Sequence, residues 1–571
     1  MIKKLLAGAA LTGIDPVRTL RAATGTPVNP PFAADLNYSP VTAAHIEQTG
    51  TPRTIFDLYS NHAESARLIH NHMADKTSQA DISVDLLNLS AIKPSSKELE
   101  AMNTIDVFSV SQGMNQISMG IGGQTDEYEK HWKSNDAIGV YSAGNQGDTK
   151  ITVPKQSMSD FGDTAITVGE AEKKADGTWQ VKDHSQRVGA VSLVAPNITD
   201  QGFGIPIIKS EVDLTGHEDL VRETETWLNA REALTQNNAS ATFTDAALIA
   251  KRDELLADPK YIEQLDNRIS HYMTKDASEF HQKIHDNFSS NFTKNAEGLA
   301  VNVDGTSFCS PYVAGVFSAA KFESKMREQQ GQPALSSEEI VALSYLSCDP
   351  VSQVENGKDS ENKANGRGII SNNRAGFGLF TAEKFAEQQR QAYAVLDKNP
   401  QLQTIAESIS ADNFTPEKDG TGGYTITIPE TNDITVFKTR IEYHSENIPP
   451  VMLKFTSPQG HEQFIDMSQA ADYKQGSDDY HLSWGNSEQF FGESSAGDWK
   501  IEPIYDTKQG EPSKWDINPT DLKITIQGAQ KGGLIDKMID KQLGLEQEIN
   551  HKIENTPPSL PPKNRGGGRG F

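Results

Sequence analysis

Gly305-Thr306-Ser307-Phe308-Cys309-Ser310-Pro311-Tyr312-Val313-Ala314-Gly315 sets a serine among small residues at the head of an apolar, helix-compatible segment. Proline near the first turn suits a helix start, because the N–H it lacks would have no helical partner there. A serine at a helix N-terminus lies beside backbone N–H groups that no carbonyl of the helix can satisfy, and these can stabilise an oxyanion. Gly-Thr-Ser is also a common turn. The residues alone leave both readings open.

The run resembles the nucleophile motif of the subtilases, Gly-Thr-Ser-x-x-Ser-Pro-x-Val-Ala-Gly, and every fixed position is present. The resemblance implies that Ser307 is the nucleophile of a serine peptidase. Other segments fall in the family's chain order. Tyr141-Ser142-Ala143-Gly144-Asn145-Gln146-Gly147 looks like the loop that supplies the oxyanion-hole asparagine, here Asn145. Thr164 to Gly169 resembles the Val-Ile-x-Val-Gly strand, and Val194-Ala195-Pro196 the Ala-Pro-Gly turn, with Asn197 where glycine is usual. Ser337 to Cys348 and Gly376-Phe377-Gly378-Leu379 resemble the closing helix and its Gly-x-Gly turn. The likeness spans about residues 50 to 395.

The general base implied by the resemblance is His62, in Ser60-Asn61-His62-Ala63-Glu64-Ser65-Ala66, where only the histidine and one alanine keep the pattern. The alternative is a surface histidine near His70 and His72, a pair without enough further ligands to suggest a metal. The acid is the least marked member, since no Asp-Ser-Gly or Asp-Thr-Gly precedes His62. Asp35 stands at about the family's interval before it. Leu11-Thr12-Gly13-Ile14-Asp15 resembles the acid motif with leucine in the catalytic place, so a degenerate triad stays open. Ser109-Val110-Ser111-Gln112-Gly113-Met114 resembles the strand that pairs with substrate, which implies Ser111 and Gly113 as substrate-binding residues through strand addition. Gln112 and Met114 depart from that pattern, so side-chain preference does not transfer. Asp148 reads as an exposed turn aspartate.

Around this motif, apolar runs at Ile82–Leu87, Asp106–Val110, Ala137–Tyr141, Thr164–Val168 and Val191–Val194 alternate with helix-length segments. That rhythm predicts an α/β fold, a parallel sheet with helices on both faces. Residues from about 210 to 296 break it with polar helical patterns and read as an insertion. After Asn399 short alternating runs such as Thr425–Ile428, Val451–Phe455 and Leu522–Ile526 are separated by turn residues, an antiparallel β-sandwich pattern. Ser457-Pro458-Gln459-Gly460 and Phe491-Gly492-Glu493 through Gly497-Asp498-Trp499 resemble the P domain of kexin and the proprotein convertases. Trp484 and Trp499 are its expected core aromatics. Dibasic specificity does not carry over, because the convertases' histidine motif is missing. The expected organisation is an N-terminal segment 1–34, a peptidase domain 35–398, a P-domain-like sandwich 425–528, and a tail 529–571 that is helical and then Pro/Gly/Arg-rich and disordered.

A chain of 571 residues exceeds one core, so more than one domain is expected. A formal net charge of −25 repels phosphate backbones and argues against nucleic acid as the partner; proteins or peptides fit. The mean hydropathy of −0.54 and the lack of a long apolar run argue against a membrane span. Cys309 and Cys348 read as small buried residues rather than a disulfide framework. Lys3-Lys4 ahead of apolar Leu5 to Leu11 has the outline of a short signal peptide without a clear cleavage site, which favours a secreted or periplasmic protein without excluding the cytoplasm. No metal ligand set is read, and calcium enters only through the family resemblance. Two rivals remain beside a serine endopeptidase: a silent subtilase used as a protein-binding module, and a carbohydrate- or surface-binding protein acting through its sandwich.

Overall fold

The computed structural model describes residues 41, 43–46, 62–77, 84–87, 104–111, 136–145, 164–185, 191–196, 214–235, 245–274, 277–287, 292–295, 298–301, 305–351, 362–372, 374–402, 406–410, 417–418, 423–444, 452–466, 481–504 and 522–554. A parallel sheet forms the first half. β1 (Ala43–Ile46) lies between β2 (Val84–Leu87) and β3 (Val107–Val110), and the order continues through β4 (Ile138–Ser142) to β5 (Ala165–Lys173). β6 (Trp179–Val181) turns back antiparallel on the end of β5, while β7 (Leu193–Pro196) pairs with β5 in parallel. β3, β4 and β7 are buried at every residue, as expected where a parallel sheet is covered. The expected apolar runs are strands. β1 was not anticipated: Ala43-Ala44-His45-Ile46 has neither an apolar run nor β-branched enrichment.

Helix α1 (His62–Thr77) connects β1 to β2. Four helices, α2 (Glu218–Thr235), α3 (Asp245–Leu256), α4 (Pro259–Thr274) and α5 (Ser278–Asn287), occupy the segment that reads as an insertion. Of these, α2, α4 and α5 share a core of their own, built from Val221, Leu228, Leu265, Ile269, Phe280 and Ile284. Within it the Glu225 carboxylate is buried and held by Lys283 at 2.7 Å and Arg268 at 3.2 Å, which compensates the charge. A hairpin of β8 (Phe292–Asn295) and β9 (Gly298–Val301) leads into α6 (Thr306–Gln329). α6 is buried along most of its length because it runs between the sheet and α1. Gly315 makes the α1–α6 approach: a Cβ there would stand 2.4 Å from the His70 carbonyl oxygen and 2.6 Å from the Met73 Cβ. Buried His70 Nε2 meets the Ser318 hydroxyl at 2.8 Å, so this histidine ties the two helices together. α7 (Ser337–Leu346) starts with a capping box between Ser336 and Glu339. A hairpin of β10 (Lys363–Ala364) and β11 (Ile370–Ser371) and helix α8 (Ala382–Leu396) complete this half.

The C-terminal strands form two antiparallel sheets. One has the order β12 (Ala406–Ser410), β20 (Leu522–Gln530), β15 (Ile434–His444), β18 (His481–Ser487). The other runs β13 (Glu417–Lys418), β14 (Tyr424–Ile428), β19 (Gly497–Ile504), β16 (Met452–Thr456), β17 (Glu462–Asp466). Trp499 is buried between Phe455, stacked at 5.1 Å, and Phe490, edge-on at 5.2 Å, and its Nε1 donates to the Ser495 carbonyl at 2.8 Å. The Trp484 side chain lies outside the described residues. Residues 41–571 form one compact unit, and the first of these sheets contributes Phe437 and Ala529 to its main core. Phe491 packs edge-on against Tyr345 at 5.2 Å and Phe377 at 5.7 Å, and Leu534, Ile535, Met538 and Ile539 of α9 (Leu534–Glu554) join them. Buried Lys438 donates from Nζ to the Ala165 carbonyl at 2.8 Å and lies 3.9 Å from Glu488. The Asn365 amide donates to the Gln489 and Phe491 carbonyls at 3.1 and 2.8 Å, and Gly366 N–H to Glu493 Oε1 at 2.7 Å. Among the described residues, no helix is long and apolar enough to cross a membrane.

Candidate active site

β3, β4 and β7 bring their carboxyl ends to the first turns of α6, and the carboxyl ends of strands are the usual place for a site in an open α/β sheet. β3 ends at Val110, and the next residue, Ser111, is buried against the first turn of α6. β4 ends at Ser142, and Ala143-Gly144-Asn145 carries the chain to the same turn. Gly305 precedes the helix at φ +124°, a conformation that a side chain would strain, and a Cβ there would lie 2.9 Å from Asn145 Nδ2.

Thr306 fastens the asparagine. Its backbone N–H donates to Asn145 Oδ1 at 3.0 Å and its hydroxyl donates to the same oxygen at 2.9 Å. The Gly144 N–H in turn donates to the Thr306 hydroxyl at 2.9 Å. With Oδ1 engaged twice, the amide nitrogen is turned to Gly305, and Asn145 is exposed at the helix mouth. In the first turn, Thr306 N–H is taken by Asn145 and Phe308 N–H donates to the Gly305 carbonyl at 3.0 Å. Ser307 N–H lies between them and has no helical acceptor, since the first N–H groups of any helix have none. The helix dipole adds partial positive charge at this end. An anion would be stabilised here.

Ser307 is half-buried and its hydroxyl donates to the Ser111 carbonyl at 3.0 Å. The Ser111 hydroxyl donates back to the Ser307 carbonyl at 2.6 Å and is 3.4 Å from Ser310 Oγ. Cys309 holds the other side of the turn, its thiol 3.7 Å from the Ala195 carbonyl at the end of β7. Burial raises the Cys348 thiol well above its ordinary range, which keeps it protonated. Both cysteines are free.

Of the residues anticipated from sequence, Ser307, Asn145 and Ser111 meet at one helix turn. His62 is the first residue of α1, but its side chain lies outside the described residues, as do Asp35, Gly113 and Asp148. His62 and Ser307 each stand eight positions ahead of the His70–Gly315 approach, so the two helices reach equally far from their contact. Desolvation by its neighbours, and then nearby Lys76, lower the His72 pKa. No group of three or more His, Cys, Asp or Glu able to hold a metal occurs among the described residues. Sequence reading missed Thr306 as the clamp on Asn145, although the threonine stood in the motif, and missed β1.

A search of the curated proteins finds no match. Among solved structures, the serine protease of Aeromonas sobria is similar at 14% identity, over 86% of this chain and 88% of that chain, with a TM-score of 0.48. The complex of that protease with the chaperone ORF2 aligns at 14% identity over 79% of this chain and 77% of that chain, TM-score 0.41. MycP1 from Mycobacterium smegmatis aligns at 12% identity over 61% of this chain and 79% of that chain, TM-score 0.26. The subtilase family model matches residues 57–378, more than half of the chain, and the chain therefore belongs to the subtilase family, the peptidase S8 serine peptidases.

Proposed function

We propose that the protein is a serine endopeptidase acting on protein or peptide substrates, with Ser307 as nucleophile, His62 as general base and Asn145 in the oxyanion hole. The observation that carries this reading is the Thr306 clamp: both of its donors engage Asn145 Oδ1, which leaves the amide nitrogen turned to Gly305, two residues before Ser307. Ser307 Oγ leaves its resting bond to the Ser111 carbonyl and attacks the scissile carbonyl carbon, and His62 takes the proton. The oxygen of the tetrahedral intermediate gains the negative charge, held by the Asn145 amide and the Ser307 N–H. The C–N bond then breaks, His62 returns the proton to the leaving amine, and water hydrolyses the acyl-enzyme by the same path. Ser111 and Gly113 would pair with the substrate backbone. Labelling with a fluorophosphonate, followed by peptide mapping, tests the assignment. The label should fall on Ser307, and Ser307→Ala should lose labelling and peptide hydrolysis together. A folded wild-type protein that takes no label supports the silent binding module instead.

For the acid, Asp35 is the candidate given by its interval to His62. A specific observation favours a second one. β1 pairs in parallel with β3 so that Ile46 is level with Val110, and Ser111 follows Val110 at the site. The residue that follows Ile46 in the sequence is Glu47, a carboxylate. Neighbouring strands lie about 4.8 Å apart, so β1 leads the chain to the catalytic edge. A carboxylate that fixes the imidazole tautomer is worth about 10⁴ in kcat in related serine peptidases. Comparing Asp35→Asn with Glu47→Gln decides between them, the damaging change marking the acid.

The two C-terminal sheets fit the P-domain-like reading as a brace: Phe491, Glu493 and α9 grip the 365–367 turn of the peptidase half. Export to the periplasm or medium is the reading of location supported by the basic and apolar N-terminal run.

A further inference from the structure

Pro311 stands four positions after Ser307, where an ordinary helical residue would donate its N–H to the Ser307 carbonyl. Proline has no N–H, so this carbonyl loses its helical partner at the turn that carries the nucleophile. The Ser111 hydroxyl fills the place. It donates to the Ser307 carbonyl at 2.6 Å, its residue is 4% exposed, and it comes from a strand end 196 positions away. Ser310 Oγ, also buried, lies 3.4 Å from the same hydroxyl and closes its other side.

We infer that Ser111 is a positioning residue whose hydroxyl replaces the helix hydrogen bond removed by Pro311 and so fixes the Ser307 main chain against the sheet. The inference rests on Ser307 being the nucleophile only for its kinetic consequence. The tether itself is independent of any chemistry. It also differs from a substrate-binding role for Ser111, which would use the backbone of the strand; here the side chain faces the helix. An unsatisfied buried carbonyl is expensive, and a looser first turn moves both Ser307 Oγ and its N–H away from the attack geometry.

The test is a double-mutant cycle read in two ways. Ser111→Ala should lower the fluorophosphonate labelling rate of Ser307 and kcat for a peptide substrate by about ten- to a hundredfold, with KM changed little. Ser111→Thr keeps the hydroxyl and should recover most of the loss. In a Pro311→Ala background the restored N–H at position 311 can take the Ser307 carbonyl, so Ser111→Ala should there lower the urea midpoint much less than in the wild type. Additive effects on the urea midpoint would overturn the tether, whatever the activity. A rise in KM with unchanged labelling would overturn positioning and make the hydroxyl a substrate contact. A wild-type protein that takes no label overturns the peptidase reading alone, because the stability cycle still decides the tether.

Discussion

Gly315→Ala probes how closely the helix bearing Ser307 must approach the helix that begins at His62. The added Cβ would meet the His70 carbonyl oxygen at 2.4 Å, the Met73 Cβ at 2.6 Å and the Ala74 nitrogen at 3.0 Å. Ordinary non-bonded contact is about 3.5 Å, so α1 must retreat by about 1 Å. Two of the three obstructing atoms are main chain, and a side-chain rotation cannot relieve them. Overpacking of this kind costs about 1–3 kcal/mol. Alanine regains about 1 kcal/mol over glycine in a helix, so the net loss of stability is about 0–2 kcal/mol. Activity is the sharper readout. Moving His62 by about 1 Å relative to Ser307 should lower kcat about a hundredfold. The assay is steady-state peptide hydrolysis beside urea denaturation of the same preparations. A variant with kcat within twofold of wild type and a raised urea midpoint would refute the close approach and the coupling of the helices to the site.

Asn145→Asp keeps the acceptor held by Thr306 but replaces the amide donor with an oxygen. It should lower kcat by about 10²–10³, the loss that removing one oxyanion-hole donor causes in subtilisin, with thermal stability nearly unchanged. Buried Glu493 has its pKa raised, by burial first, with the hydrogen bonds from Ser457 and Gly366 opposing. A carboxylate raised in the folded state holds its proton longer than in the unfolded chain, so its contribution is present at low pH and declines as pH rises from the ordinary carboxylate range through the raised value. Glu493→Gln keeps an acceptor for Gly366 and removes the titration, so urea midpoints of variant and wild type should diverge in favour of the variant as pH rises from about 4 to 8. A constant offset would remove ionisation from the account. Limited proteolysis should cut first between about 400 and 424, outside the short edge strands β12 and β13, and within 210–296 outside its helices; first cuts inside 425–528 would redraw those boundaries.

Local chemistry was legible in the sequence. Gly305, Ser307 and Pro311 specify a turn, a candidate nucleophile and a helix start within one short run, and the apolar runs at 106–110, 137–141 and 191–194 announce buried parallel strands because both their faces are covered. The change to alternating runs after Asn399 announced the antiparallel sheets for the same reason, since period-2 alternation is a property of the strand itself. What the sequence could not carry was the pairing of distant segments. Ala43–Ile46 has no strand signature and becomes one only because β2 and β3 offer edges on both sides. Nothing near Ser111 announces that its hydroxyl will serve a helix 196 positions later, or near His70 that it will meet Ser318, 248 positions on. Lys438 reads as a surface lysine in an alternating strand, yet its amine is buried against the Ala165 carbonyl, 273 positions away. Side-chain type and local period are written in the chain; which carbonyl lacks a partner, and which distant donor is packed close enough to fill it, exist only once the fold has closed.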